Sequence, residues 1–173
     1  YAGVMCKEAI MAKRKEGNPY TQRFFEHFPM EGDILIQVLR GHLLVEEVLR
    51  ELLKLHMKNP GAIKGTSGAS FDCHQVICLN DAFIDTPKKL SWVWNSAKKL
   101  NKLRNDLAHK IPTEALTHKV NDYIETTQKG FYIDSGFPVE KYDDDYPLLY
   151  DSILCLYVSV CLIKEQSNIN VCT

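Results

Sequence analysis

Three things are missing from this sequence, and each absence closes off a class of protein. There is no Cys-x-x-Cys pair. The six cysteines stand at positions 6, 73, 78, 155, 161 and 172, and two of them fall inside a very apolar segment. That pattern reads as reduced, buried thiols of a cytoplasmic protein, not as a disulfide framework. There is no apolar run fit to cross a bilayer. The longest, Leu148 to Ile163, has 16 residues and contains Asp151, Ser152 and Ser159, where a span needs about 20 apolar residues. There is no excess of either charge, since 21 Lys and Arg face 22 Asp and Glu for a net of -1. A protein that coats nucleic acid is thereby excluded, whereas a local anion site is not. Internal repeats, low-complexity tracts and a recognisable secretory leader are absent too. The chain starts at Tyr1 rather than Met, which leaves room for an upstream segment.

What is present is enough apolar residue for a core, 45% of 173 positions, and the pattern is helical throughout. The expected architecture is an all-α bundle of up-and-down core helices with short extra helices. Residues 1–32 read as short helical segments, 33–166 as the bundle and 167–173 as a polar tail. Within the first part, Tyr1 to Glu16 forms a short helix ended by Gly17, Asn18 and Pro19, and Phe24, Phe25 and Phe28 mark a short aromatic element. Asp33, a fair N-cap, opens a long helix to Lys58 with a broad apolar face. Gly41 in its middle suits a close helix crossing. His42 and Glu46 are four apart, so they share a face and either pair or reach a neighbouring site.

The segment from Asn59 to Ala69 contains GAIKGTSG but lacks the Gly-Lys-Ser/Thr ending and follows a helix, so a phosphate-loop reading fails. Phe71 to Ile84 reads as a medium helix. Its Cys73, His74 and Cys78 have no fourth ligand nearby, and structural cysteines with a surface histidine are expected there rather than a metal site. A further helix runs from Thr113 to Gly130. A short extended piece is expected at Phe131–Ile133, and the acidic run Asp143 to Asp145 reads as a solvated face or a helix start. The last helix, Pro147 to Glu165, is apolar almost all round, which implies full burial or an interface with a partner.

The stretch Lys88 to Lys110 organises the rest. Leu90, Val93, Trp94, Ala97, Leu100, Leu103 and Leu107 recur at helical steps, Pro87 suits the first turn and Pro112 stops the run. Trp94 falls on this stripe, and Trp92 is expected to face outward. Six lysines and Arg104 against one Asp106 give the stretch +6, so the remainder carries -7. This separation of charge favours an anion-facing surface at the helix. Arg104 and His109 lie roughly 7–8 Å apart along the axis and about 140° apart around it. They converge on a small ligand only if it lies over the flank between them, which Asn105 shares with His109.

The run Arg104-Asn105-Asp106-Leu107-Ala108-His109 resembles the arginine, four-to-six residues, histidine motif of the HEPN superfamily. The resemblance extends over residues 33 to 125, through the long helix carrying Glu46, the glycine-bearing loop and the medium helix. It implies a helical bundle that dimerises with its motif helices facing one another. In catalytic members the pair forms a metal-independent ribonuclease site, with no cofactor, often in toxins silenced by a nucleotidyltransferase-like antitoxin. His109 then acts as acid or base at the ribose 2'-hydroxyl or the leaving oxygen, Arg104 holds the phosphate, and Asn105 orients either. Products end in a 2',3'-cyclic phosphate. Lys98, Lys99, Lys102 and Lys110 guide the RNA backbone, and Glu46 joins the substrate-binding set. The same residues, with Leu49 and the glycine loop, also resemble the mannitol operon repressor family, which implies a non-catalytic regulator that binds a partner. Both readings stay open at this point.

Overall fold

A computed structural model describes residues 19–29, 33–63, 71–109, 114–134 and 148–171. Among the described residues there are six α-helices and no strand: α1 (Pro19–His27), α2 (Ile34–Leu55), α3 (Cys73–Phe83), α4 (Trp92–His109), α5 (Glu114–Gln128) and α6 (Leu148–Val171). No helix among them is long and apolar enough to cross a membrane. The expected first helix at 1–16, the glycine-rich run from 64 and the acidic run at 143–145 lie outside the described residues.

The apolar all-round character of α6 is answered by burial. From Leu149 to Tyr157 every residue is buried, and α6 packs against α1, α2, α4 and α5. Its surface is therefore used inside the bundle, which is the first of the two alternatives its pattern allows. Among its large apolar residues Leu162 is exposed, at 43%, as are the polar Glu165, Gln166 and Asn168 beyond it. α1 lays Phe24 and Phe28 on this helix: the two rings stack at 4.7 Å, and both reach Tyr150. α2 crosses α6 at Gly41, where a β-carbon would fall 2.5 Å from Ile153 Cγ2. The missing side chain thus sets the approach of the two longest helices, as the sequence suggested.

Local signals fix the helix ends. Asp33 caps α2 by accepting from Leu35 N at 3.0 Å. At the start of α3 Asp72 accepts from Gln75 N at 2.8 Å, and the Gln75 side chain accepts from Asp72 N at 3.0 Å. This reciprocal cap satisfies two amides that the first helical turn leaves unpaired. Asp72→Ala should therefore lower stability by about 1 kcal/mol, read as a shift in the denaturation midpoint at unchanged slope. An unchanged midpoint would deny the cap its role.

α4 turns Val93, Ala97, Leu100, Leu103 and Leu107 into the core. Burying each leucine stabilises the fold by roughly 1.5–3 kcal/mol, enough to fix the rotation of the helix about its axis. Before it, Lys88–Leu90 form a 3-10 turn, so the expected helix start is displaced to Trp92. Two further expectations are corrected here. Trp92 does not face outward; it is buried, edge-on to Phe131 at 6.2 Å. Residues Lys129–Asp134 are not extended but form a wide π-helical turn continuing α5. That turn carries Gly130 against the indole and seats Tyr132 beside Asp151, its hydroxyl donating to Oδ2 at 3.0 Å.

Candidate functional site

The polar flank of α4 opens on a cleft of about 430 Å³ bounded by α2, α3 and α4. Because the leucines fix the helix rotation, Asn101, Arg104 and Asn105 fall together on its wall; three- and four-residue steps stack them on one flank. α2 supplies His42, Glu46 and Arg50, also at four-residue steps, and the start of α3 supplies Asp72, Cys73 and His74.

The hydrogen bonding is directional. Arg50 donates from Nε and Nη2 to Glu46 Oε1 at 2.9 and 2.6 Å. The second oxygen, Oε2, lies 3.5 Å from His42 Nδ1. That separation makes an electrostatic contact but not a hydrogen bond, and Nδ1 is a buried atom with no hydrogen-bond partner. On its other side His42 Nε2 meets Asn101 Oδ1 at 3.0 Å. With Asn101 Oδ1 as acceptor, Nε2 carries the proton and the Nδ1 lone pair is left on the side of Glu46. Burial holds this imidazole below its ordinary 6.5; the Asn101 bond and Glu46 act in the opposite direction, and the Arg104 and Arg50 charges lower it further. His42 is therefore neutral at neutral pH. Burial pushes the Cys73 thiol up to about 12, aided by the charge on Glu46.

Arg104 is half-buried, and its Nη1 donates to Asn105 Oδ1 at 2.9 Å. Among the described residues no carboxylate pairs with it. The motif's own acid, Asp106, turns instead toward α5 and meets Lys119 Nζ at 2.5 Å. So the cleft holds one carboxylate–guanidinium pair, Glu46 with Arg50, and two charged groups not paired with each other, Arg104 and the helix-capping Asp72.

Of the residues singled out in the sequence, Glu46, Arg104 and Asn105 come together here. His109 is the last residue of α4, one turn beyond Asn105; its side chain, and Lys110, lie outside the described residues. The other lysines do not join them. Lys98 pairs with Asp81 at 2.8 Å, Lys99 bonds Asp122 at 2.6 Å and Thr126 at 2.7 Å, and Lys102 is exposed two residues, about 160°, around the helix from Arg104. The positive stretch is thus partly neutralised by α3 and α5, a long-range effect that a local charge count does not see. Asn101, Arg50 and the sulfur of Cys73 were not foreseen as site groups. A signal existed for Asn101: it is a polar residue three before Arg104 and four before Asn105, set between core leucines. Cys73 stood out beside His74 and Cys78, but its neighbours here, His42 and Glu46, are brought to it by the packing of α3 on α2 and not by sequence spacing.

Comparison with known protein families, with curated proteins and with solved structures yields no match for this chain.

Proposed function

We propose that this chain is an endoribonuclease of the HEPN kind, cutting RNA by attack of a ribose 2'-hydroxyl on the adjacent phosphorus. One observation carries the reading. Arg104 and Asn105 of α4 and Glu46 of α2, chosen from the motif and its resemblance, line a single cleft. A phosphodiester brings one negative charge, and among the described residues Arg104 is the cleft guanidinium with no carboxylate paired to it. Its planar donors match two phosphate oxygens and offset the charge that builds on them during attack. Asn105 fixes the guanidinium. His109, at the end of the same helix, takes the proton of the 2'-hydroxyl or returns one to the leaving 5'-oxygen; an imidazole can act as base or as acid. The 2'-oxygen bonds to phosphorus as the 5'-oxygen leaves, and the product is a 2',3'-cyclic phosphate.

The resemblance adds to the proposal a homodimer with facing motif helices and a nucleotidyltransferase-like antitoxin that silences it. The test is incubation of mixed cellular RNA with the purified chain in EDTA, followed by mapping of the new ends. Cleavage leaving 2',3'-cyclic phosphates supports the reading. Intact RNA in the presence of a verified dimer would move the chain to the regulatory branch that the same motif resembles.

A further inference from the structure

The oddest atom in the cleft is His42 Nδ1. Leaving a buried polar atom without a partner costs about 1–3 kcal/mol, and the imidazole that bears this one is only 4% exposed. Asn101 engages Nε2 and so leaves the Nδ1 lone pair on the side of Glu46. Arg50 occupies Glu46 Oε1 and leaves Oε2 on the side of the histidine. The third group facing this point is a cysteine, at the first residue of a capped helix. One donor atom each from His42, Glu46 and Cys73 lies within 4.8 Å of the others.

We infer that His42, Glu46 and Cys73 form a binding site for a zinc-class divalent cation, its fourth side open to the cleft beside Arg104. The donor set is one imidazole, one carboxylate and one sulfur. Sulfur and imidazole select zinc and its softer relatives over magnesium and calcium, which take oxygen donors. Three protein ligands with an open position are the arrangement of zinc sites that also bind water or an anion. Bonds of about 2.0–2.3 Å draw the three donors closer together than they stand, and the thiol loses its proton as the metal binds. Outer partners are already in place: ligating histidines donate their other N–H to an oxygen, and ligating carboxylates are themselves hydrogen-bonded. Asn101 and Arg50 meet both requirements. The Arg50 and Arg104 charges oppose a cation, while Glu46 and the thiolate formed on binding offset them.

The inference does not rest on the nuclease reading: cleavage in EDTA tests that one, and cadmium binding tests this one. The full chain, freed of metal by chelator and reduced, is titrated with Cd²⁺ while the ultraviolet thiolate-to-cadmium band is followed. The band should rise to saturation at a single equivalent. It should vanish in Cys73→Ser and persist in Cys78→Ser, which removes the neighbouring sulfur that faces His74. His42→Gln and Glu46→Gln should each weaken binding by about tenfold or more, and Asn101→Leu, which touches no metal, by roughly 10–100-fold. Circular dichroism checks that each variant is folded, and either ligand variant suffices if the other is not. No band in the wild type, a full band in Cys73→Ser, or unchanged affinity in the folded ligand variants would overturn the site.

Discussion

Arg104→Ala is expected to reduce RNA cleavage by about 10²–10³-fold, the usual effect of removing one group that stabilises charge in a transition state. The expected change in stability is small, within roughly ±0.5 kcal/mol as for other substitutions away from the core. The reason for this split lies in how the residue is held. Its guanidinium bonds Asn105 and faces the cleft, while the adjacent Leu103 supplies the core contact. Arg104→Lys should recover only part of the activity, because an ammonium keeps the charge and loses the planar pair of donors. Single-turnover rates in EDTA, beside thermal melts of each variant, decide the matter. Equal rates for Arg104→Ala and wild type would remove Arg104 from the chemistry. A drop in rate matched by a drop in melting temperature would make it a structural residue. His109→Ala belongs in the same series, with a loss of about 10²–10⁴-fold expected for a general acid or base.

The second large effect is on folding. A β-carbon at Gly130 would lie 2.3 Å from Trp92 Cγ and 2.5 Å from Cδ2. Neither partner has room to yield. The indole is wedged edge-on against Phe131 and buried, and the glycine belongs to the backbone of the π-helical turn. The requirement here is for space, not for an unusual backbone angle. Overpacking of this sort costs about 1–3 kcal/mol, and the helix-propensity gain of up to about 1 kcal/mol for alanine offsets only part of it. Gly130→Ala should thus lower the melting temperature by several degrees, at roughly 2–4 °C per kcal/mol for a chain of this size. Combining it with Trp92→Ala, which removes Cγ and Cδ2, should cost less than the sum of the single changes, since two groups in contact do not act additively. A melting temperature equal to or above wild type would show that the turn adjusts freely.

The readable parts of this protein were those governed by local periodicity. The leucine repeat of α4, the mid-helix Gly41 and the encompassing apolar surface of α6 all follow from spacing along one helix, and so does the shared flank of Arg104 and Asn105. What the sequence concealed depends on contacts between distant segments. Trp92 sits at the edge of the α4 stripe, and only the π-helical turn after α5 covers it. That turn has no repeating signal; it sets Gly130 against Trp92 and Tyr132 beside Asp151, both distant in sequence. Lys98 and Lys99 read as part of a basic surface because their partners, Asp81 and Asp122, are contributed by other helices. The cleft itself was half legible. Glu46 and Arg104 were named, whereas Cys73 and Asn101 acquire meaning only once His42 is seen buried between α2 and α4.

The three walls of the cleft are not equally anchored. α2 sets ten buried residues into the bundle, whereas α3 sets in three, Val76, Ile77 and Asn80. Amide protons report such differences, because a helix with few buried contacts opens on its own while a deeply set one waits for global unfolding. α3 is therefore the wall whose protons exchange first. Anything that bridges Cys73 to α2 slows that exchange in α3 well before it is felt in α2 or α4, which makes the short helix the place where occupancy of the cleft is recorded.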